Sequence, residues 1–524
     1  MQNVFRLGRT VRHFKAAQLG NKFQYRLVKF CYDKNIITPP KGEYPDIKFL
    51  KLLPIAYTCS VYSKGEFSFL GHKHRFEKAI DWNIKTNGTL WNIRLNSFDY
   101  LNHSQILPDE GKQVIYSFIR DFKKNKTRFD AHCASLRVIN AIKFVSRFQI
   151  NESEINAFLF SQAVYILRNS EVHLKNNHLL ENAFALLYAA DFFQDNAMHR
   201  FAGRMLTKEL QNQILDDGAH FELCPMYHLW VVNRLLESVQ IFRSSMFTVT
   251  ALNEQLTKYA SKMLGWISQL QFDNGTLPAI NDSAAGYGPG VSAVLKLAAE
   301  LGLKLQVLPM KESGFRKFRN RHFEMLVDIN GLTPSEAPGH SHADTFNFVL
   351  NVFGDPFVID TGISTYENSP QRLYERSTMA HNTVVVNNKN QSEVYGSFRA
   401  GRRASVHLIQ NSGSELKASH NGYAYLGVKH QRTFTFEKDR IIIRDTIESK
   451  KPVKCTAYLH IDKKNRLTEK EGSYFSKFVR IDFEHAGKSM LTENHYAPSF
   501  GQLLPCHVIQ TEFERELVTV IRLV

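Results

Sequence analysis

The apolar residues of this 524-residue chain change period once, and that change narrows the folds open to it. From about Glu110 to about Leu303 they recur at i, i+3, i+4 and i+7, the spacing that gathers side chains on one face of a helix. Leu136–Phe148, Glu152–Leu167, Leu179–Phe193, His199–Leu215, Met226–Phe242, Leu252–Leu270 and Gly290–Leu301 each read as one amphipathic helix. Breaks such as Lys175-Asn176-Asn177 and Asp216-Asp217-Gly218 are short, which predicts antiparallel helix pairs in a bundle or a toroid. After about Phe315 the period falls to two. Phe323–Asp328, Phe346–Phe353, Thr383–Val386, Ser405–Ile409, Thr433–Phe436, Ile441–Arg444 and Cys455–Ile461 read as short strands, which predicts an antiparallel sandwich. The expected fold class is multi-domain α + β. Residues 1–110 form an N-terminal lead-in, 111–310 a helical domain and 315–524 a β-sandwich. Within the lead-in, Ile80–Asn83 and Leu90–Asn92 read as loop-rich and carry two of the four Trp.

Such a length excludes a single hydrophobic core. Lys and Arg number 66 against 50 Asp and Glu, a formal +16 that favours nucleic acid, anionic lipid or acidic polysaccharide without choosing among them. No nucleic-acid module, phosphate-cradling glycine loop or GxSxG elbow is present. The basic runs Lys123–Lys126 and Arg399–Arg403 read as solvated faces. Six scattered cysteines (Cys31, Cys59, Cys133, Cys224, Cys455, Cys506) form no CxxC pair and read as isolated thiols. No run approaches the roughly eighteen apolar residues of a membrane span. The basic stretch Met1–Arg9 meets Arg12, His13 and Lys15 before a signal-peptide apolar region can develop. The expected location is the cytoplasm, with the periplasm as the alternative.

The densest chemistry lies in the strand-rich half. Pro338-Gly339-His340-Ser341-His342-Ala343-Asp344 is followed eighteen residues after His342 by Asp360, and then by Ala380-His381-Asn382-Thr383. Imidazoles with a carboxylate are the usual first shell of Zn²⁺, and neutral His is also the side chain best suited to acid–base work near pH 7. A metal-organised or catalytic site follows. In the helical half, Asn177-His178 opens a helix, and Asp217–Glu222 precedes Pro225-Met226-Tyr227-His228, where Pro225 suits a first turn. Two helix starts bearing Asn-His and Tyr-His can converge on one anion. Read singly, each is plainer: Asn is a common cap, His in a first turn is often solvated, and Tyr227 fits a partly buried core position.

Taken together these segments resemble the heparinase II/III-like family of polysaccharide lyases, which includes heparinases and some alginate lyases. Pro338–Asp344, Val358–Gly362 and Arg376–Thr383 resemble its C-terminal half. Asn177–Glu181 and Asp217–His228 resemble its toroid half, with weaker matches at Ser135-Leu136-Arg137 and Asn281-Asp282-Ser283. The resemblance implies an incomplete (α/α) toroid followed by an antiparallel β-sandwich, and β-elimination on a uronic-acid-containing acidic glycan to leave a 4,5-unsaturated uronate end. It implies that Asn177 and His178 hold and neutralise the substrate carboxylate with help from His340. Tyr227 is then the acid and also a base, and Tyr366 a second active-site tyrosine. His228, Arg234, Arg376 and Trp230 would bind substrate, with Trp82 or Trp91 as further sugar-stacking candidates. His342, Asp360 and His381 align with the family's ligands for a structural Zn²⁺. The missing signal peptide sets the chain apart from secreted degradative members and admits work on the cell's own surface polysaccharide. The expected partner is the acidic polysaccharide, with no nucleic acid and no membrane span; the sequence does not speak to the oligomeric state. Two other functions fit the same residues: a non-catalytic acidic-polysaccharide binding or surface-glycan assembly protein, and a zinc-dependent hydrolase.

Overall fold

The computed structural model describes residues 2–14, 16–34, 44–53, 55, 60–125, 130–247 and 250–524. Cys59 and Lys126 lie outside them; the other five cysteines form no disulfide. Among the described residues twelve α-helices precede or interrupt the strands: α1 Gln2–Val11, α2 Ala16–Asp33, α3 Thr89–Ser97, α4 Pro108–Asn125, α5 Ala131–Phe148, α6 Ser153–Arg168, α7 Asn177–Phe192, α8 Asn196–Gln213, α9 Pro225–Ser244, α10 Thr250–Leu270, α11 Val291–Glu300 and α12 Pro370–Glu375. Side-chain caps fix several starts. Asp130 accepts from Cys133 N at 2.8 Å, and Asp195 accepts from Met198 N at 2.9 Å. Helices α5 to α10 pack as neighbours around one apolar core, forming an incomplete (α/α) toroid. Among the described residues no helix is long and apolar enough to cross a membrane.

Two eight-stranded antiparallel sheets follow. One has Val428–Phe436 and Arg440–Ser449 near its centre, paired Val428↔Ser449 through Phe436↔Ile441. Along Val428–Phe436 every second side chain is buried, as a strand with one covered face requires. The other sheet is built on Cys455–Asp462, Leu504–Phe513, Phe348–Val352 and Phe323–Asp328. Phe323, Met325, Leu350, Phe434, Ile443 and Ile521 fill the space between the sheets.

Two parts of the lead-in depart from expectation. Leu90–Asn92 lies in α3, with Trp91 fully buried against Phe69. Helices Gln2–Val11 and Ala16–Asp33 contact both domains. Arg9 pairs with Glu393 of the sandwich at 2.6 Å, while Tyr25 packs on His173 of the toroid with ring centroids 4.5 Å apart.

Candidate active site

A cavity of about 750 Å³ lies between toroid and sandwich. Asn177, His178, Tyr227 and Trp230 line it from the toroid, His340 and Tyr366 from the sandwich. Helix α7 starts where it does because the Asn176 side chain accepts from His178 N at 3.1 Å, which points the next two side chains to the cavity wall. The Asn177 amide nitrogen donates to Glu222 Oε2 at 2.9 Å, and its carbonyl oxygen is buried without a hydrogen-bond partner. Burial raises the Glu222 pKa, and His340, Asn177 and His178 offset that only in part.

His178 stacks on His132, ring centroids 3.8 Å apart and planes 9° from parallel, with Nδ1 3.5 Å from Glu171 Oε2. Burial opposes its charge, but Glu171, through its hydrogen bond and its own charge, does most to outweigh it and raise the pKa. Ligand atoms of His132, Glu171 and His178 come within 4.8 Å of one another, a distance at which a metal could be held. Nitrogen lone pairs lie in the ring planes, however, and nearly parallel planes do not converge on one ion. Within the trio, Glu171 is the member that favours the charged form of His178, while His132 packs against its ring.

Tyr227 sits in the first turn of α9, which Pro225 opens at a position needing no N–H partner. Its hydroxyl is 2.9 Å from that of Tyr366, and its ring centroid is 4.4 Å from that of His340. Burial pushes both phenol pKa values well above 10, so both tyrosines hold their protons at rest. His340 Nδ1 is 2.8 Å from Asp282 Oδ2. Asp282 also holds His342 Nε2 at 2.8 Å and receives Arg372 at 2.5 and 2.8 Å. Burial alone would raise its pKa; Arg372 and the two imidazoles hold it well below the usual carboxylate range. With Nδ1 bound to a carboxylate, His340 keeps Nε2 for other chemistry.

His342, Asp360 and His381 meet behind this layer. His381 Nδ1 is 2.8 Å from Asp360 Oδ2, and the two rings lie 5.3 Å apart. His342 Nδ1 and His381 Nε2 are buried without hydrogen-bond partners. Two imidazoles with free nitrogens suit Zn²⁺, and the Asp282 bond to the far nitrogen of His342 is the support that zinc-ligating histidines commonly have. Asp360 as placed binds the far nitrogen of His381 and gives it the same support, so it would have to turn to become a third ligand.

Three expected substrate-binding residues do not line the cavity. His228 is buried, with Nε2 on Met263 O at 2.9 Å and its ring against Trp266; burial lowers its pKa to about 4. Arg234 is fully buried between Glu181 and Glu237. Arg376 points into the sandwich, donating to Ser341 O at 3.2 Å, and so shapes the His340–His342 loop from behind. Each is a polar group needed to satisfy a buried partner, which sequence spacing does not distinguish from a ligand. Trp82 and Trp91 are core side chains with no exposed surface; Trp230 is the tryptophan on the cavity wall. Conversely, Arg399 and Arg403 line the cavity, although their run read as a solvated face. His132, Glu171 and Glu222 were not singled out as site residues. Glu222 stood in a run already noted, whereas nothing local marks His132 or Glu171.

Comparison with known proteins agrees with this geometry. Residues 131–300 match the heparinase II/III N-terminus and residues 304–514 the heparinase II/III-like C-terminal domain. A heparin-sulfate lyase of Bacteroides stercoris is 26% identical over 306 residues, covering 53% of this chain and 44% of that protein. A second, from Pedobacter heparinus, is 25% identical over 249 residues, covering 41% of this chain and 37% of that protein. The chain thus spans less than half the length of these curated relatives. Among solved structures, heparinase III superposes with a TM-score of 0.71 at 15% identity, over 86% of this chain and 80% of that one. A chondroitinase AC lyase does so with 0.52 at 8% identity, over 85% and 77%. The chain belongs to the heparinase II/III-like family.

Proposed function

We propose that the protein is a polysaccharide lyase that cleaves a uronate-containing glycan by β-elimination. The observation that carries this reading is the meeting, across one cavity, of the Tyr227 hydroxyl and the Asp282-held His340 imidazole beside Asn177 and His178. The C5 proton of a uronate is too weakly acidic to leave until its carboxylate is neutralised. A cationic His178 and the Asn177 amide supply that neutralisation and stabilise the enolate as it forms. His340 Nε2 takes the C5 proton. The electron pair left behind forms the C4–C5 double bond, the C4–O bond breaks, and Tyr227 gives its proton to the leaving oxygen. The family resemblance gives His340 a share in holding the carboxylate; its bond to Asp282 suits it better to the proton. Names of relatives support the substrate class: two are heparin-sulfate lyases and one fold neighbour is a chondroitinase AC lyase. His342 and His381, with Asp360 turned from His381 Nδ1, would hold a zinc ion, which would supply positive charge tying the His340–Asp344 loop to the sandwich.

Ultraviolet absorbance of the unsaturated product tests the reading directly. Purified protein is incubated with heparan sulfate, hyaluronan, chondroitin, alginate and polyglucuronate, alongside a Tyr227→Phe variant checked for fold by circular dichroism. Absorbance is expected to rise on at least one polymer and to slow by about a hundredfold or more in the variant. An unchanged variant rate removes Tyr227 from the mechanism. Saturated products point to hydrolysis, and glycan binding with no product points to a binding protein.

A further inference from the structure

We infer that α1 and α2 form a strap that closes one side of the cleft, so that the site takes chain ends and short acidic oligosaccharides instead of the interior of a long polymer. This rests on the lyase reading for the chemistry, though not for the binding mode. A cleft open at both ends between two domains lets a polymer pass through. Here both walls are joined. At the sandwich end Arg9 makes a bidentate pair with Glu393, at 2.8 and 2.6 Å, and Arg6 adds a third contact at 3.3 Å. Thr10 bonds the Tyr395 hydroxyl at 2.5 Å and Ala400 O at 2.9 Å. Glu393 is largely buried, and its pKa is held down to about 2: burial raises it, and Arg9 and Arg402 more than offset that. The anchor is therefore charged at any working pH.

At the toroid end the buried Gln18 donates to His173 O at 3.4 Å, and Tyr25 packs on the His173 ring. Residue 173 lies in the loop that leads into Asn177 and His178. Between the two anchors, Thr10, Phe14, Gln18, Leu19 and Lys22 face the same cavity as Tyr227 and His340. The strap is thus a wall of the site. The volume it leaves, about 750 Å³, is that of a small-ligand pocket, for which roughly 300–1,000 Å³ is typical, and it suits a few sugar rings.

The test counts protein molecules bound per glycan chain, using the catalytically silenced Tyr227→Phe protein and size-fractionated chains of one uronate glycan. Calorimetry gives the stoichiometry whether or not the protein turns the glycan over. With the strap intact, stoichiometry is expected to stay at one per chain from oligosaccharide to polymer. An Arg6→Ala/Arg9→Ala variant, which leaves every cavity residue in place, is expected to bind several copies per long chain while keeping its affinity for the oligosaccharide. Stoichiometry that climbs with chain length in the strapped protein overturns the inference, as does an identical profile in the two proteins. In active protein the matching readout is product length. A single short product from the first turnover supports chain-end action; a broad ladder of intermediates overturns it. Flat absorbance with length-independent binding would sink the lyase reading and leave the strap standing.

Discussion

Asn177 turns its amide nitrogen to Glu222 and leaves its carbonyl oxygen buried without a partner. If Glu222 carries a proton, the amide can rotate: the carboxylic acid donates to the carbonyl oxygen, and the amide nitrogen is freed for the substrate carboxylate. The direction of the Glu222 pKa, raised by burial, favours that neutral form. Glutamine in its place can donate in the same way at any pH, whereas alanine cannot. Glu222→Gln is therefore expected to keep kcat/KM within about threefold of the parent. Glu222→Ala leaves a buried amide unsatisfied, a cost of about 1–3 kcal/mol, or roughly tenfold to a hundredfold in kcat/KM. Steady-state kinetics on the best polymer decide it, and equal losses in the two variants would remove Glu222 from the mechanism. Asn177, Tyr227 and His340 were legible through the family resemblance of their motifs; read singly, Asn177 passes for a helix cap and Tyr227 for a partly buried core tyrosine. Glu222 and Glu171 were not, since a buried carboxylate looks like a surface one until its neighbours are known.

Three helices of the toroid meet at one buried charge cluster. Glu237 of α9 contacts Lys143 of α5 and Tyr188 of α7, and receives Arg234 at 2.9 Å. Burial raises its pKa, but Lys143 and Arg234 together hold it down to about 2. The folded value lies below the ordinary 4.5, so the cluster stabilises the fold at neutral pH and its contribution is lost as pH falls from about 4.5 through 2. Glu237→Gln is expected to cost about 3 kcal/mol at pH 7, because it strips one buried partner from two cations, and distinctly less at pH 3. Urea melts at the two pH values measure the difference, and a pH-independent cost would refute the coupling. The α5–α9 helices were predictable from the spacing of their apolar residues, although α7 and α9 are buried on nearly every side. The loop at Asn281-Asp282-Ser283 shows the limit of that reading. It joins the two domains through side chains: Asn281 accepts from His342 N at 3.1 Å, Asp282 binds His340 and Arg372, and Ser283 accepts from Met226 N at 3.2 Å. Each partner is remote in sequence, so no local pattern announces the contact.

At the scale of the whole molecule, charge and architecture act together. Residues 2–34 hold eight Lys and Arg against one acidic residue, Asp33, which is +7 of the chain's formal +16. Sequence showed the surplus but not its place in space, because the fold of α1 and α2 across the cleft follows from contacts with Glu393, 384 residues from Arg9, and His173, 148 residues from Tyr25. Arg6 and Arg9 are paired with Glu393, so the charge the strap brings to the cavity wall is that of Lys22, where it would draw in an acidic glycan. Lys22 faces the cavity directly, and Arg26 and Lys29 lie on the same helix. Salt tests whether that potential matters. Between about 10 mM and 0.15 M the Debye length falls from roughly 30 to 8 Å, enough to screen exposed charges of the strap from an approaching chain while hardly touching the buried catalytic groups. Over that range kcat/KM is expected to fall about tenfold, with kcat nearly constant. Replacing Lys22, Arg26 and Lys29 together with Gln should flatten the dependence, since capture would then rely on weaker, more distant charge. A salt slope that survives the triple replacement would move the capturing charge off the strap, to the sandwich rim at Arg399 and Arg403. No slope at all would mean that the excess charge serves something other than substrate capture.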